Sequence, residues 1–303
     1  MRIGRLALVL LLAAFPLTAR ASGDDALRLQ QHYQELRDLA RHGPFGVPLS
    51  VQSEVGSEQV SAEVSGIIEH PFELVRATLI DPAAWCDFAP LHENVKACTY
   101  QGKSTETLLT LYLGRKYYLT PQSASPQTYR FSVQKSEPDF LSVSLTAAEG
   151  VYGTSAHQFE LEAAGVDGRT MITLRSSYVP STVTKLMTTL YLATLGRKKV
   201  GFSLEPGVPP AAPQYIKGFR GLVERSAMRY YLAFQTYLDM ETAPAAHRFE
   251  ACINAVYDSM ERYPRQLHEL EKADYLDIKR RERENQLRLQ QRIGPAGTKP
   301  AAP

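Results

Sequence analysis

Three polar residues lie where the sequence predicts the inward face of a sheet. His157 has the same strand parity as Phe159 and Leu161, so its imidazole is predicted to face the interior. An interior imidazole can orient the polar head of a ligand or act as a general base. Ser176 and Tyr178 share the inward face of the last predicted strand. The alternative is a structural role, in which buried polar groups only satisfy hydrogen bonds within the protein.

The sequence contains no motif for a particular catalytic or metal-binding chemistry. It has no HExxH or HxxxH spacing, no GxSxG, no CxxC and no glycine-rich phosphate loop. The dipeptide His92-Glu93 lacks further metal ligands at suitable spacing. We therefore predict no metal and no cofactor.

Two of the three cysteines are close enough in sequence to pair. Cys86 and Cys98 bracket a predicted turn, and Cys252 lies far from both. In an oxidising compartment the first two are natural partners. A bridge that closes so short a loop contributes about 3 kcal/mol in the chain-entropy model. The alternative is a pair of buried free thiols.

The first 21 residues have the pattern of a secretory signal. Arg2 and Arg5 precede the apolar run from Leu6 to Leu17, and a small-residue cleavage signal ends at Ala21. We expect export to the periplasm or secretion, with an uncleaved anchor as the alternative. Cleavage removes three arginines and leaves 31 basic and 32 acidic residues of the 34 and 32 in the whole chain. This balance argues against a nucleic-acid partner.

The stretch from Gly66 to Tyr100 begins the predicted domain. It follows a strand from Val60 to Ile68, and a helix begins at His70-Pro71, where proline suits a first helical turn. Asp81-Pro82 ends that helix, and a second short helical piece follows. From residue 107 onward, apolar residues alternate over several short segments. Such alternation with short connections predicts an antiparallel meander with one buried face.

Helices are predicted on both sides of this sheet. A short apolar helix, Thr182 to Leu195, is followed by a basic loop, and a long amphipathic helix runs from Gln214 to Met240. The charged helix around Lys279 to Arg292 is predicted to be a solvated tail, with partner binding as the alternative. We divide the chain into a signal segment (1–21), an N-terminal helical segment (22–48), a main domain (49–240), a helical extension (241–293) and a disordered tail (294–303).

This order of elements resembles the START-like, or SRPBCC, superfamily. The resemblance is carried by VSGIIEHPFELVRATLIDPAAWCDF, with its order of strand, helix, Asp-Pro and Trp, and by the apolar stripe from Ile216 to Leu238. It covers roughly residues 49–240 and implies an α+β helix-grip fold, with a curved antiparallel sheet wrapped around a long C-terminal helix. The segment from Thr182 to Pro213 departs from the simplest members.

The resemblance also implies an apolar cavity between the sheet and the long helix, in which related domains hold lipids or other apolar molecules. The same inward residues would equally fill a solid core, and periodicity does not separate the two cases. The predicted ligand-binding residues are Trp85, Phe88, Leu111, Phe131, His157, Phe159, Leu174, Tyr178, Val223, Tyr230 and Phe234.

Three classes of function remain open from the sequence. The leading hypothesis is an exported domain that binds an apolar or amphipathic, lipid-like molecule without converting it. The second is an enzyme of the cyclase or hydrolase type that uses His157 and Tyr178. The third is an envelope scaffold that acts through the helices after Pro244. The basic loop with Arg197, Lys198 and Lys199, next to an apolar helix, also suits transient contact with an anionic membrane surface. The alternative is an ordinary packed helix with a solvated basic loop.

Overall fold

The structure is a computed structural model that describes residues 20–42, 45–102, 107–194, 196–207 and 214–294. The predicted signal segment and the predicted disordered tail lie outside these residues, apart from positions 20, 21 and 294. Within the described ranges, no helix is both long enough and apolar enough to cross a membrane.

The described residues form one curved antiparallel sheet of eight strands. The order across the sheet is β1-β2-β8-β7-β6-β5-β4-β3, so β1 and β3 are its edges. Strands β3 to β8 pair with their neighbours in sequence, as short connections predict. The strands are β1 Leu49–Val55, β2 Val60–Ile68, β3 Val95–Gln101, β4 Thr107–Leu113, β5 Ser125–Ser136, β6 Phe140–Glu149, β7 Ser155–Val166 and β8 Arg169–Val179.

The α-helices lie before, between and after the strands. They are α1 Arg20–His42, α2 Phe72–Leu79, α3 Pro82–Phe88, α4 Thr182–Ala193, α5 Gly218–Asp239, α6 Ala245–Met260, α7 Pro264–Leu267 and α8 Lys272–Ile293. Asp81 caps α3 by accepting a hydrogen bond from the Ala83 N–H at 2.9 Å, with Pro82 in the first helical position. The Asp-Pro pair thus separates α2 from α3, as the sequence predicts.

Helix α5 lies in the concave face of the sheet, against β1 and β2. The Tyr231 hydroxyl donates a hydrogen bond to the Ile67 carbonyl oxygen at 3.3 Å. A Cβ atom on Gly66 would lie only 2.3 Å from that hydroxyl oxygen, so glycine is what allows this close approach. A curved sheet around a long helix is the predicted helix-grip α+β fold, which is confirmed.

Helix α1 packs on the opposite, convex face. Ile67 follows Gly66 in β2, so its side chain points away from α5. It belongs to a second apolar cluster together with Phe140 and Met171 of the sheet. The side chains that α1 contributes to this cluster are Ala26, Leu29, Tyr33 and Leu36. Part of the sheet is therefore buried on both faces, and there the strands lack the alternation that a half-exposed sheet shows.

Strand β3 is an element that the sequence pattern did not reveal. Its first five residues are all buried, so polar and apolar positions do not alternate. On one side Cys98 forms a disulfide with Cys86 of α3, at a Cα–Cα distance of 4.8 Å. Lys96 is fully buried, and its Nζ lies 3.0 Å from Glu282 Oε1 of α8. The predicted disulfide is confirmed, and Cys252 is a buried free cysteine.

Helix α8 covers the edge of β3, so the prediction of a solvated tail is wrong. Gln286 accepts a hydrogen bond from the Cys98 N–H at 2.9 Å and donates one to the Cys86 carbonyl at 2.7 Å. Gln290 accepts a hydrogen bond from the Tyr100 N–H at 2.9 Å and donates one to the Tyr100 carbonyl at 3.0 Å. Four helical residues rise about 6 Å and two strand residues about 7 Å, so the two glutamines match alternate residues of the strand. The two side-chain amides thus bond edge groups of β3 that a ninth strand would otherwise bond.

We predict that Gln286→Ala lowers the free energy of unfolding by about 1–3 kcal/mol, because it leaves two buried backbone groups of the cysteines unpaired. Urea denaturation of the oxidised protein measures the change. The matched control is Gln291→Ala on the exposed side of α8, which should change stability by less than about 0.5 kcal/mol. Equal effects of the two substitutions would contradict the role given to Gln286.

A cavity between the sheet and the long helix

A cavity of about 200 Å³ lies between α5, α3 and strands β4 to β8. Its walls contain most of the predicted ligand-binding residues and several others. The lining residues are Trp85, Phe88, Ala89, Leu109, Leu111, Leu113, Tyr129, Leu145, His157, Gln158, Phe159, Ser176, Ser177, Tyr178, Ser226 and Tyr230. The space exists because α5 leans toward β1 and β2, so the opposite half of the concave face is not filled by the helix.

Aromatic rings form one wall of this cavity. The Trp85 ring centroid lies 5.1 Å from that of Phe88 and 5.8 Å from that of Phe159. Phe159 in turn contacts Tyr230 of α5 edge to face, at 5.6 Å. The Trp85 indole N–H donates a hydrogen bond to the Leu79 carbonyl at 2.8 Å, so its polar atom is satisfied outside the cavity. The wall therefore presents apolar ring surface.

Polar groups gather at another part of the lining. The His157 ring stacks on Tyr178, with centroids 5.3 Å apart and planes 7° apart. Its Nε2 atom lies 2.8 Å from the Thr154 hydroxyl, and the Tyr129 ring meets it edge-on at 6.2 Å. A Cβ atom on Gly150 would lie 2.1 Å from His157 Nε2, so this glycine makes room for the imidazole. These groups are placed to bind one polar end of a ligand.

The polar lining is uncharged at neutral pH. Burial lowers the pKa of His157, which favours the neutral imidazole. Burial also raises the pKa of Tyr178 to about 12 and raises the pKa of Tyr129 and of Tyr230 still further above the usual range. The described lining residues include no Asp, Glu, Lys or Arg. Such a cavity suits an apolar or uncharged ligand, because an ion would lose its hydration without a partner.

Four of the predicted ligand-binding residues lie in the core and outside the lining. Phe131 packs behind Trp85 with ring centroids 6.0 Å apart, and Phe234 packs behind Phe88 at 5.2 Å. Leu174 and Val223 are buried in the same apolar cluster. These residues support the wall, and their contact with a ligand stays a prediction.

Other lining residues were not selected from the sequence, although a signal for them existed. Leu109 and Leu113 have the same strand parity as Leu111 in β4. Ser226 precedes Tyr230 by four residues in α5, so the two share one helix face. Tyr129 has the same strand parity as Phe131 in β5, and Leu145 has the same parity as Leu141 and Val143 in β6. Alternation predicts which residues share a face of the sheet, but it does not predict which of them line a cavity.

A cluster of buried charges lies directly behind the cavity wall. The Tyr230 ring contacts His92, with ring centroids 4.6 Å apart. Next to Tyr230 in the chain, Arg229 places its Nε atom 3.2 Å from Glu93 Oε2 and its Nη2 atom 3.3 Å from Glu269 Oε1. Lys116 also pairs with Glu269. The wall of the cavity is thus anchored to a network of ion pairs.

The cluster continues into α8. Lys279 Nζ donates hydrogen bonds to the carbonyl oxygens of His92 and Val95, both at 3.0 Å, and to Glu282 at 2.8 Å. The Tyr275 hydroxyl donates a hydrogen bond to the Leu91 carbonyl at 2.7 Å. The turn between the two cysteines is therefore held by α8. His92 and Glu93 therefore have a structural role, as members of this buried cluster.

A curved sheet, a long helix lying in it and a partly open, uncharged cavity between the two define a helix-grip domain with a cavity. No family model matches the sequence, and no curated protein is similar to it in sequence.

Several solved structures match this chain at low sequence identity and with TM-scores below 0.5. A STAR-related lipid transfer protein from Xanthomonas axonopodis is 11% identical, with 47% of this chain and 85% of that chain covered and a TM-score of 0.35. Human STARD10 is 9% identical, with 82% and 80% covered and a TM-score of 0.38. A Zhui aromatase/cyclase from a Streptomyces species is 14% identical, with 67% and 94% covered and a TM-score of 0.32. The START-like resemblance predicted from the sequence agrees with the helix-grip topology of this chain.

We predict that His92 makes stability dependent on pH. Burial, followed by the charges of Arg229, Lys279, Lys116 and Lys96, holds the pKa of His92 well below its usual value of 6.5. Below that pH the unfolded chain binds a proton that the folded protein does not. The free energy of unfolding therefore falls as pH drops, by up to about 1.4 kcal/mol per pH unit for this group.

The test compares urea denaturation of wild type and His92→Asn over a series of pH values. Asparagine keeps an acceptor for the Asn94 N–H, which bonds His92 Nδ1 at 3.0 Å, and it does not titrate. The variant should lose part of the decline on the acidic side. The exposed His247→Asn should leave the decline unchanged, and an unchanged decline in His92→Asn would refute the assignment.

Proposed function

We propose that this protein binds a small apolar or amphipathic, lipid-like molecule in the cavity and does not convert it chemically. The observation that carries the proposal is the partly open cavity itself, which lies between the sheet and α5 and is lined by aromatic and leucine side chains. Pockets of this composition, with a few convergent polar groups, are the usual form of small-molecule sites.

The polar side chains suit the head of such a ligand. The hydroxyl of Tyr178 and the imidazole of His157 lie together in the lining, and Ser176 is near them on β8. An uncharged hydroxyl, carbonyl or protonated acid group would find donors and acceptors there. The apolar remainder would lie against Trp85 and Phe159.

The geometry favours binding over catalysis. The hydrogen-bond partner of His157 is the Thr154 hydroxyl, and burial alone accounts for the lowered pKa of the ring. Among the described residues, no carboxylate contacts this imidazole to raise its basicity, as a general base of the usual type requires. The cyclase or hydrolase alternative therefore has less support than simple binding.

The size of the cavity limits the ligand. A volume of about 200 Å³ is smaller than the roughly 300–1,000 Å³ of pockets that enclose drug-sized molecules. In this conformation the site takes a small ligand or one end of a longer chain. A larger lipid would require α3 and its two aromatic residues, Trp85 and Phe88, to move.

We predict that Leu111→Trp, which fills the cavity, weakens ligand binding by at least about tenfold, because the added ring occupies the space that the ligand needs. Native mass spectrometry after gentle purification, followed by titration with fatty acids, sterols and phospholipids, measures binding. The matched control is Leu108→Trp, at an exposed position of the same strand, which should bind as wild type does.

Two results would count against the proposal. One is a wild-type protein that stays free of ligand against the whole panel, and the other is equal binding by both tryptophan variants. Recovery of the ligand with an altered mass after incubation would favour the enzyme alternative. In that case His157→Ala should abolish the conversion and leave binding in place.

The proposal includes export to the periplasm or secretion. It is supported by the basic and apolar pattern of residues 1–17 and by the Cys86–Cys98 pair, which suits an oxidising compartment. The ligand would then be bound outside the cytoplasm.

We predict that the exported protein begins at Ser22 and contains one free thiol, that of Cys252, because the other two cysteines are paired. Intact mass spectrometry with thiol alkylation measures both properties. Leu10→Arg interrupts the apolar run and should leave a full-length precursor with three alkylated thiols. Leu27→Arg, on the exposed side of α1, is the matched control and should be processed normally. A full-length, unprocessed wild type would contradict export by cleavage.

A further inference from the structure

Helix α4 carries an apolar stripe on the outside of the molecule. Val183, Leu186, Met187 and Leu190 follow the spacing i, i+3, i+4, i+7 of one helix face. Their exposed fractions are 55%, 61%, 44% and 59%. Tyr152, in the turn beside the start of α4, is 53% exposed as well. Large apolar side chains usually occur singly on a surface, and a contiguous stripe marks an interaction site.

Among the residues that the structure describes, packing inside the domain does not account for this stripe. None of the residues of α4 is buried. Local hydrogen bonds hold the helix instead: Ser181 accepts from the Thr184 N–H at 3.0 Å and donates to the Tyr152 carbonyl at 2.7 Å. Lys185 reaches the Ser57 carbonyl in the turn between β1 and β2. These hydrogen bonds from polar positions hold α4 in place, and its apolar face points outward.

The segment that carries the stripe has charges of one sign. From residue 180 to residue 203 the chain contains no Asp or Glu. Lys185, Arg197 and Lys198 are exposed there. Lys199 is engaged with Glu269, at an Nζ to Oε1 distance of 3.7 Å. Apolar side chains next to uncompensated cations are the composition that binds the interface of an anionic bilayer.

We infer that α4 and the following basic turn form a docking surface for membranes that contain anionic phospholipids. The leucine, valine and methionine side chains enter the boundary between headgroups and acyl chains, and the three exposed cations contact phosphate groups. A second copy of this chain fits the face less well, because a symmetric pair would bring like charges together. Each exposed cation near an anionic surface strengthens binding about fivefold.

The docking surface lies beside the polar end of the cavity. Tyr178 lines the cavity, and Ser181, only three residues later, caps α4. A molecule bound in the cavity would therefore be held close to the bilayer while the protein is docked. The inference goes beyond the proposed ligand binding and does not rest on it, because vesicles can be bound with the cavity empty.

The test is sedimentation of the full chain with vesicles of phosphatidylcholine alone or of phosphatidylcholine with phosphatidylglycerol. Wild type should bind the anionic vesicles at least about tenfold more tightly. Leu186→Glu should weaken that binding about tenfold or more, since a leucine side chain is withheld from the apolar phase. Leu287→Glu, an exposed leucine of α8, is the matched control and should bind as wild type does.

A second, independent variant reverses the charge. The double variant Arg197→Glu with Lys198→Glu should lose the preference for anionic vesicles. The control is Arg130→Glu, at an exposed position of β5, and it should keep that preference. All five substituted positions are exposed, and thermal unfolding checks that each variant is folded. The inference would be overturned if the wild-type protein showed no preference for anionic vesicles. It would also be overturned if the α4 variants bound these vesicles as tightly as wild type. A concentration-dependent dimer, seen by sedimentation equilibrium and lost in Leu186→Glu, would overturn the inference as well, because it would assign the face to a second copy.

Discussion

The close approach of α5 to β2 sets the shape of the whole molecule. Gly66 has no side chain, so Tyr231 of the helix reaches the strand backbone and bonds the Ile67 carbonyl. This contact holds the helix against one half of the concave sheet. The other half, from β4 to β8, is left for the aromatic residues of α3 and for the cavity. The site is therefore a consequence of where the helix lies.

The buried charges behind the cavity determine how the C-terminal helices join this arrangement. Arg229 pairs with Glu93 and Glu269, and Glu282 pairs with Lys96 and Lys279. Such pairs add little net stability, because desolvation offsets much of the attraction, but removal of one partner is costly. We expect the pairs of Glu282 to act mainly by selecting one position for α8. In that position the helix covers the edge of β3, which would otherwise be open to pairing with another chain.

The molecule has two apolar surfaces with different surroundings at the same end of the sheet. The cavity is lined by rings and uncharged polar groups, and burial keeps His157 and Tyr178 neutral. The face of α4 is exposed and bordered by cations. The first suits a neutral molecule removed from water, and the second suits an anionic interface. The last residues of β8 connect the two within a few positions of the chain.

Local spacing was enough to predict the alternating strands, the long helix with its stripe and the break between the two short helices at Asp81-Pro82. For Cys86 and Cys98 it left two states open, a bridge or free thiols, and the structure shows the bridge. Contacts between distant elements determine that β3 is a strand, that Gln286 and Gln290 cover its edge, and which inward residues line the cavity. Phe131 and Leu111 have the same inward pattern, yet one is core and the other is lining. Periodicity tells which face a side chain occupies, whereas its distance from the opposing helix is set by contacts between elements far apart in the chain.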